Sequence, residues 1–321
     1  MSVKQSIAEH PAVAALRGER IVYGAVHLGV VELGRSLAFW REVIGLDELP
    51  SQPGEARLGV DGRVLVVLRE DATGPAGRGH AGLYHLAIHL PDGLEFARAL
   101  VRVGDAGIPQ SPTDHIFSKA TYLHDPDGIL LELTLETPER YRSLEIGPRT
   151  VSILDSEGRR RGPTEPLDIA DAIAPLGEAE ARGPLGSGSY VGHVHLHVGD
   201  LQAANAFYRD VIGFSEHANM TALGMADLSA GGRFPHRLAV NDWNGPGARQ
   251  AAPQAAGMRH YELILQDGLG LEGLAGRAAA AGVELARGED GAVSLLDPAG
   301  NEIHVAEAGA SASGSPSRPG P

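Results

Sequence analysis

GHVHLHVGDLQAANAFYRDVIGF, Gly192–Phe214, repeats an earlier stretch, GAVHLGVVELGRSLAFWREVIGL, Gly24–Leu46. Each opens with the alternation of a strand. Each continues as a helix, with apolar positions at Leu37, Val43 and Ile44 in the first copy and Phe207, Val211 and Ile212 in the second. Gly45 and Gly213 fall where a helix end needs a positive φ. Phe39, Trp40, Phe207 and Tyr208 sit on these helices and are expected in the core.

A second pair of repeats lies between and after the first. LYHLAIHL, from Leu83, matches MRHYELIL, from Met258. Each is followed by an Ala-rich helix closing at Ala106-Gly107 or Ala281-Gly282. Each then ends in a DPxG turn, Asp125–Gly128 or Asp297–Gly300, and a strand. The chain therefore reads as four units of two alternating types, each a strand, a helix and roughly three more strands. The segment 137–189 between the second and third units is rich in Pro, Gly and charge, with a short helix expected around Leu167–Ile173. So long a connection is unusual inside a compact domain and reads as a linker.

At 321 residues the chain is long enough for two domains with cores of their own. It has no Cys, which excludes disulfides, thiolate metal sites and Cys nucleophiles, so a metal site must use His, Asp or Glu. The formal net charge of -14 argues against nucleic acid or an anionic membrane as partner. The N-terminal MSVKQSIAEHPAVAALRGER has no continuous apolar core, so no secretory signal is expected. No run approaches a membrane span, and the expected location is cytoplasmic. The expected organisation is an extension over 1–20, a first domain over 21–136 (units 21–70 and 82–136), the linker over 137–189, a second domain over 190–307 (units 190–242 and 257–307), and a disordered, Pro/Gly-rich tail over 308–321.

Strand–helix–three-strand units with AFYRDVIGF after the first strand and DPxG before the last resemble the vicinal oxygen chelate superfamily. That group includes glyoxalases, bleomycin and fosfomycin resistance proteins, and extradiol ring-cleavage dioxygenases. The resemblance covers about residues 21–136 and 190–307 and implies an α+β fold: four βαβββ units forming two cup-shaped, partly open β-barrel domains. It also implies a divalent metal in a cup. The ligands come from the first strand of each unit type and from a carboxylate four residues after the Gly of the last turn.

By that resemblance the metal ligands are His193, His85 and Glu132. Ala25 stands where the first unit would carry a ligand, and His27 and His195 lie two residues on, read as core or supporting histidines. The fourth unit has His260, with His304 at the carboxylate position and Glu302 nearby, so an alternative site is His193, His260 and His304 or Glu302. The stretch TDHIFSKATYLHDPDGILLE, Thr113–Glu132, resembles the extradiol dioxygenase pattern of a His, an apolar residue and Tyr, then Asp-Pro-x-Gly and Glu, with Thr121 at the apolar position. This implies His115 and Tyr122 as contacts to the substrate oxygens, and His236, in GGRFPHRLAVNDW, as the acid–base group. Asn241 and Trp243 follow it closely and suit either the pocket or strand-end packing.

The full set is split between the second and third units. The second is therefore expected to pack on the third, and the first on the fourth. The implied function is a non-haem Fe(II) extradiol dioxygenase, with Mn(II) as the alternative ion, and a small aromatic diol and O2 as partners. A metal-dependent glyoxalase-like isomerase or lyase and a metal-free binding or resistance protein are the other readings. A homo-oligomer is compatible with all of them.

Overall fold

The computed structural model describes residues 16–148, 150–266, 268–288 and 291–308. The expected tail beyond residue 308, and the extension before residue 16, lie outside the described residues. The first unit runs β1 (Ile21–Val30), α1 (Leu33–Phe39), β2 (Asp47–Leu49), β3 (Glu55–Val60) and β4 (Arg63–Glu70). The second runs β5 (Gly82–Leu90), α2 (Gly93–Asp105), β6 (Ser111–Asp114), β7 (Ser118–His124) and β8 (Leu130–Glu136). The connecting segment carries β9 (Tyr141–Ile146), β10 (Val151–Asp155), β11 (Arg160–Arg161), β12 (Glu165–Pro166) and α3 (Ile169–Ile173). The third unit runs β13 (Tyr190–His197), α4 (Leu201–Ala206), β14 (Ser215–Met220), β15 (Met225–Ser229) and β16 (Leu238–Asn241). The fourth runs β17 (Gly257–Leu265), α5 (Leu271–Ala280), β18 (Ala286–Arg287), β19 (Val293–Leu296) and β20 (Glu302–Glu307).

Local chemistry explains the shared design. Asp92 and Asp200 accept the backbone N–H three residues on, each at 2.9 Å, and so start α2 and α4. Helices α1 and α4 each widen into a π turn, Trp40–Ile44 and Phe207–Ile212, and stop at Gly45 (φ 91) and Gly213 (φ 109). Their apolar faces are buried, Trp40 and Tyr208 completely.

Strand pairing joins units that are distant in sequence. In the eight-stranded sheet, order β18-β19-β20-β17-β1-β4-β3-β2, antiparallel β1 and β17 bring the first unit to the fourth. In the nine-stranded sheet, order β12-β6-β7-β8-β5-β13-β16-β15-β14, antiparallel β5 and β13 bring the second unit to the third. This is the pairing that the split ligand set predicts. The sheets are open rather than closed barrels, in keeping with the cup-shaped α+β fold.

Units adjacent in sequence meet through helices and turns instead. Asp127 of the first DPxG turn accepts from Val31 N at 3.0 Å and from Ser36 Oγ at 3.3 Å, and pairs with Arg35. Tyr208 donates to Asp297 of the second such turn at 2.7 Å.

The connecting segment has regular structure. A three-stranded sheet, β11-β10-β9, forms there, and α3 lies where the short helix is expected. Arg140 fastens it to Asp114 of β6 at 2.7 Å, and β12 extends the nine-stranded sheet at β6. No helix among the described residues is long and apolar enough to cross a membrane.

Candidate metal centre

Register places the chemistry. In the β5–β13 pair, His195 lies opposite His85 and His193 opposite Ala87. Parallel β8 sets Glu132 beside Ala87 on the other flank of β5. The small Ala87 leaves room between them for the side chains of three neighbouring strands to converge. His85 Nε2 and His193 Nε2 are 3.1 Å apart, and Glu132 Oε2 is 2.9 Å from the first and 3.1 Å from the second. All three residues are buried, with at most 2% of their surface exposed.

These separations test whether an ion fits. Donors on adjacent corners of an octahedron, about 2.1 Å from the ion, stand about 3.0 Å apart, whereas a tetrahedron spreads them to about 3.4 Å. The observed spacings match the octahedral face. Two imidazoles and one carboxylate on such a face, with adjacent positions left open, are the donor set of non-haem iron sites.

Electrostatics prepare the donors. Burial pushes the Glu132 carboxyl up, but His193 and His85 outweigh it and hold it well below the usual range. Burial drives His193 well below its ordinary value and lowers His85, more than the opposing pull of Glu132. The set is thus an ionised carboxylate and two neutral imidazoles.

A buried chain of hydrogen bonds selects the nitrogen that His193 presents. Glu136 Oε1 accepts from His89 Nδ1 at 2.7 Å, from Arg237 Nη1 at 2.6 Å and from Tyr190 OH at 2.6 Å. Burial raises the Glu136 carboxyl, but His89 and Arg237 bring it down to about 2, so it is a pure acceptor. His89 therefore carries its proton on Nδ1 and offers the Nε2 lone pair to His193 Nδ1–H at 2.8 Å. The Nε2 lone pair of His193 is left facing Glu132 and His85. Gly192 makes this possible, because a Cβ there would stand 2.0 Å from the His89 ring.

The remaining expected residues surround a cavity of about 380 Å³ above this set. His115, Tyr122 and His236 all line it, with His195, Tyr84 and Trp243. His236 donates from Nδ1 to Asp227 at 2.7 Å. Burial lowers its pKa, but Asp227 more than compensates and raises it. His115 Nδ1 donates to the Pro163 carbonyl at 2.9 Å, so its Nε2 accepts from Tyr122 OH at 3.0 Å. Ile116, fully buried, holds a left-handed φ of 68 between His115 and Phe117, a strain of about 1–3 kcal/mol in a β-branched residue. His195 Nε2 bonds Asn241 Nδ2 at 2.8 Å, and His85, His195 and His236 each have a donor atom within 4.8 Å of the others.

The alternative set is not brought together. His193 belongs to the nine-stranded sheet, whereas His260 and His304 lie in the eight-stranded one, stacked at 3.9 Å. His27 stacks on the other face of His260 at 3.8 Å and pairs with Glu262 at 3.1 Å. Lone pairs lie in the plane of an imidazole, so stacked rings do not aim them at one point. Glu262 also accepts from Ala25 N at 3.0 Å and so fills the space beside the position where the third unit has His193. Among the described residues, the groups of three donors suited to an ion are His85, Glu132, His193 and His85, His195, His236.

Comparison with known proteins identifies the family. The sequence model of the Glyoxalase/Bleomycin resistance protein/Dioxygenase superfamily matches residues 22–133, and that of the bleomycin resistance protein-like N-terminal family matches 191–231. A catechol-2,3-dioxygenase of Bacillus subtilis (strain 168) is 35% identical over 270 residues, 83% of this chain and 90% of that protein. The chain belongs to the glyoxalase/bleomycin resistance/dioxygenase superfamily. Among solved structures of this superfamily's fold, glyoxalase I from Zea mays has a TM-score of 0.53 at 16% identity, over 89% of this chain and 93% of that one. A Bacillus subtilis subsp. subtilis str. 168 protein has a TM-score of 0.58 at 13% identity, over 89% and 85%. At such identities the likeness concerns the fold alone, and superfamily members on one fold run different chemistries.

Proposed function

We propose that the protein is an Fe(II)-dependent extradiol dioxygenase that opens the ring of a catechol beside its diol, with His85, Glu132 and His193 holding the ion. The observation that carries this reading is the donor set at 2.9–3.1 Å, of which His85 and Glu132 line a cavity together with His115, Tyr122 and His236. The catechol-2,3-dioxygenase relative supports the choice of reaction. A single carboxylate at the centre favours it over a glyoxalase-like site, and Mn(II) is the alternative ion.

When bound, the ion supplies Lewis acidity that favours ionisation of the diol and a redox centre for dioxygen. The protein's groups do the rest. Asp227 accepts the Nδ1 proton of His236, so Nε2 is the atom that exchanges a proton: its lone pair can take the diol proton, and the Nε2–H so formed can later return it. Tyr122 stays a neutral phenol, since burial and the Glu132 charge raise its pKa well above the ordinary value. With its own proton directed to His115 Nε2, its oxygen is free to accept a diol O–H and orient the ring. One catechol and one O2 give one 2-hydroxymuconic semialdehyde that carries both atoms of the O2.

The test is turnover of catechols under 18O2 after anaerobic Fe(II) loading. A yellow ring-opened product with two labelled atoms is expected. Glu132→Ala should lose iron and turnover together, and His236→Ala should keep iron and lose turnover about 10²–10⁴-fold. Unchanged catechol over iron-loaded protein would contradict the proposal, and wild-type turnover by His236→Ala would remove the role given to that residue.

A further inference from the structure

We propose that the catechol carries an uncharged, apolar ring substituent, seated against Leu144, Val151 and Ile153 of the connecting segment and Met220, Leu223 and Met225 of the third unit. The inference rests on the ring-cleavage reading and names the substrate class of that same site. Both walls come from outside the strands that bring the metal donors. Leu144 lies on β9, and Val151 and Ile153 on β10, all within the connecting segment. Met220 ends β14, Met225 begins β15, and Leu223 lies in the turn between them.

Size is the first argument. A cavity of about 380 Å³ falls in the range of roughly 300–1,000 Å³ that encloses ligands larger than one ring. With its diol at the metal donors, an unsubstituted catechol leaves the walls wet. An alkyl or aryl group removes that apolar surface from water.

Charge is the second. Among the described residues lining the cavity there is no Lys or Arg, and the carboxylates are Glu132 and Asp227. Both are engaged at the diol end, Glu132 with His85 and His193 and Asp227 with His236. A carboxylated substituent would enter an apolar region with no counter-charge and two like charges nearby. An ammonium would find no free carboxylate there. The other polar lining groups are hydroxyls, the Trp243 indole and histidines. Trp243 fixes the rim by donating from Nε1 to the Leu223 carbonyl at 2.9 Å.

The test is anaerobic titration of the Fe(II)-loaded protein, followed by initial rates in air. The probes are catechol, 3- and 4-propylcatechol, and the two dihydroxyphenylpropanoates that place a carboxylate at the end of the same chain. The better propyl isomer should bind at least about tenfold more tightly than catechol, and the propanoates no more tightly than catechol. Val151→Arg and Leu144→Arg, both at half-buried positions, should reverse the order, with a propanoate binding more tightly than its propyl counterpart. A propanoate that binds wild-type protein as tightly as propylcatechol overturns the inference, as does a propylcatechol no tighter than catechol. If the binding order holds but no catechol is opened, the ring-cleavage reading fails and the apolar wall stands.

Discussion

At the scale of single residues, the ordering group is Glu136. As an obligate acceptor it fixes the proton of His89, which fixes that of His193, which leaves the Nε2 lone pair toward the metal donors. His89→Phe should therefore weaken anaerobic Fe(II) binding about 10–100-fold. His89→Gln, whose side-chain carbonyl can accept the same N–H, should recover part of the loss. Equal iron affinity in all three proteins would show that the chain does not tune the ligand. The proposed ligands stand at fixed offsets from a repeated strand or turn, and the structure brings His85, Glu132 and His193 together. Their supports were not legible in the sequence. Glu136 and Arg237 meet through register between strands far apart in the chain, and no local spacing encodes that; Asp227 reaches His236 from only nine residues away, but no motif marks it. The same holds for the Pro163 carbonyl that sets the proton of His115.

At the scale of elements, the two DPxG turns differ in how they satisfy their aspartate. Asp297 has partners on both oxygens, Ala299 and Asn301 amides on Oδ1 and the Tyr208 and Asn301 side chains on Oδ2. Asp125 accepts amides of Asp127 and Ile129 on Oδ1, but its buried Oδ2 has no partner. Burial therefore raises the Asp125 pKa to about 6, despite those amides. A carboxyl whose folded pKa lies above its unfolded one contributes stability below the unfolded value, near 4, and loses it as pH rises through 6. Asp125→Asn keeps the accepting oxygen without the charge. Its stability relative to wild type should be near parity at pH 4 and rise by about 2 kcal/mol by pH 7, read from urea unfolding at each pH. A variant less stable than wild type at pH 7 would contradict this. Repeats, helix ends and turns were readable here because Gly at a positive φ and the DPxG pattern have local causes. The connecting segment was harder. Its strands are short and half-exposed, and its Pro, Gly and charge content looks like a linker even though Val151 and Ile153 stand two apart, with Leu144 opposite Ile153 on the neighbouring strand.

At the scale of the whole molecule, each large sheet joins one half of the chain to the other through its central strands, β1 with β17 and β5 with β13. Neither half can complete the proposed metal centre alone, since His85 and Glu132 precede the connecting segment and His193 follows it. Residues 1–178 and 179–321 produced separately should not bind Fe(II), and co-expression should restore one site. A half that binds iron on its own would contradict the pairing. The pairing was legible from chemistry rather than from pattern, because joining the second and third units was the arrangement that collected every expected ligand. The eight-stranded sheet keeps the strands of such a site but carries Ala25, a His27–Glu262 pair and stacked His260 and His304 in its place. The most direct measurement is anomalous diffraction at the iron edge from Fe(II)-loaded crystals. A single peak per chain between His85 Nε2, His193 Nε2 and Glu132 Oε2 is the predicted result. No peak there, or a peak at His27, His260 and His304, would contradict a centre built from the second and third units.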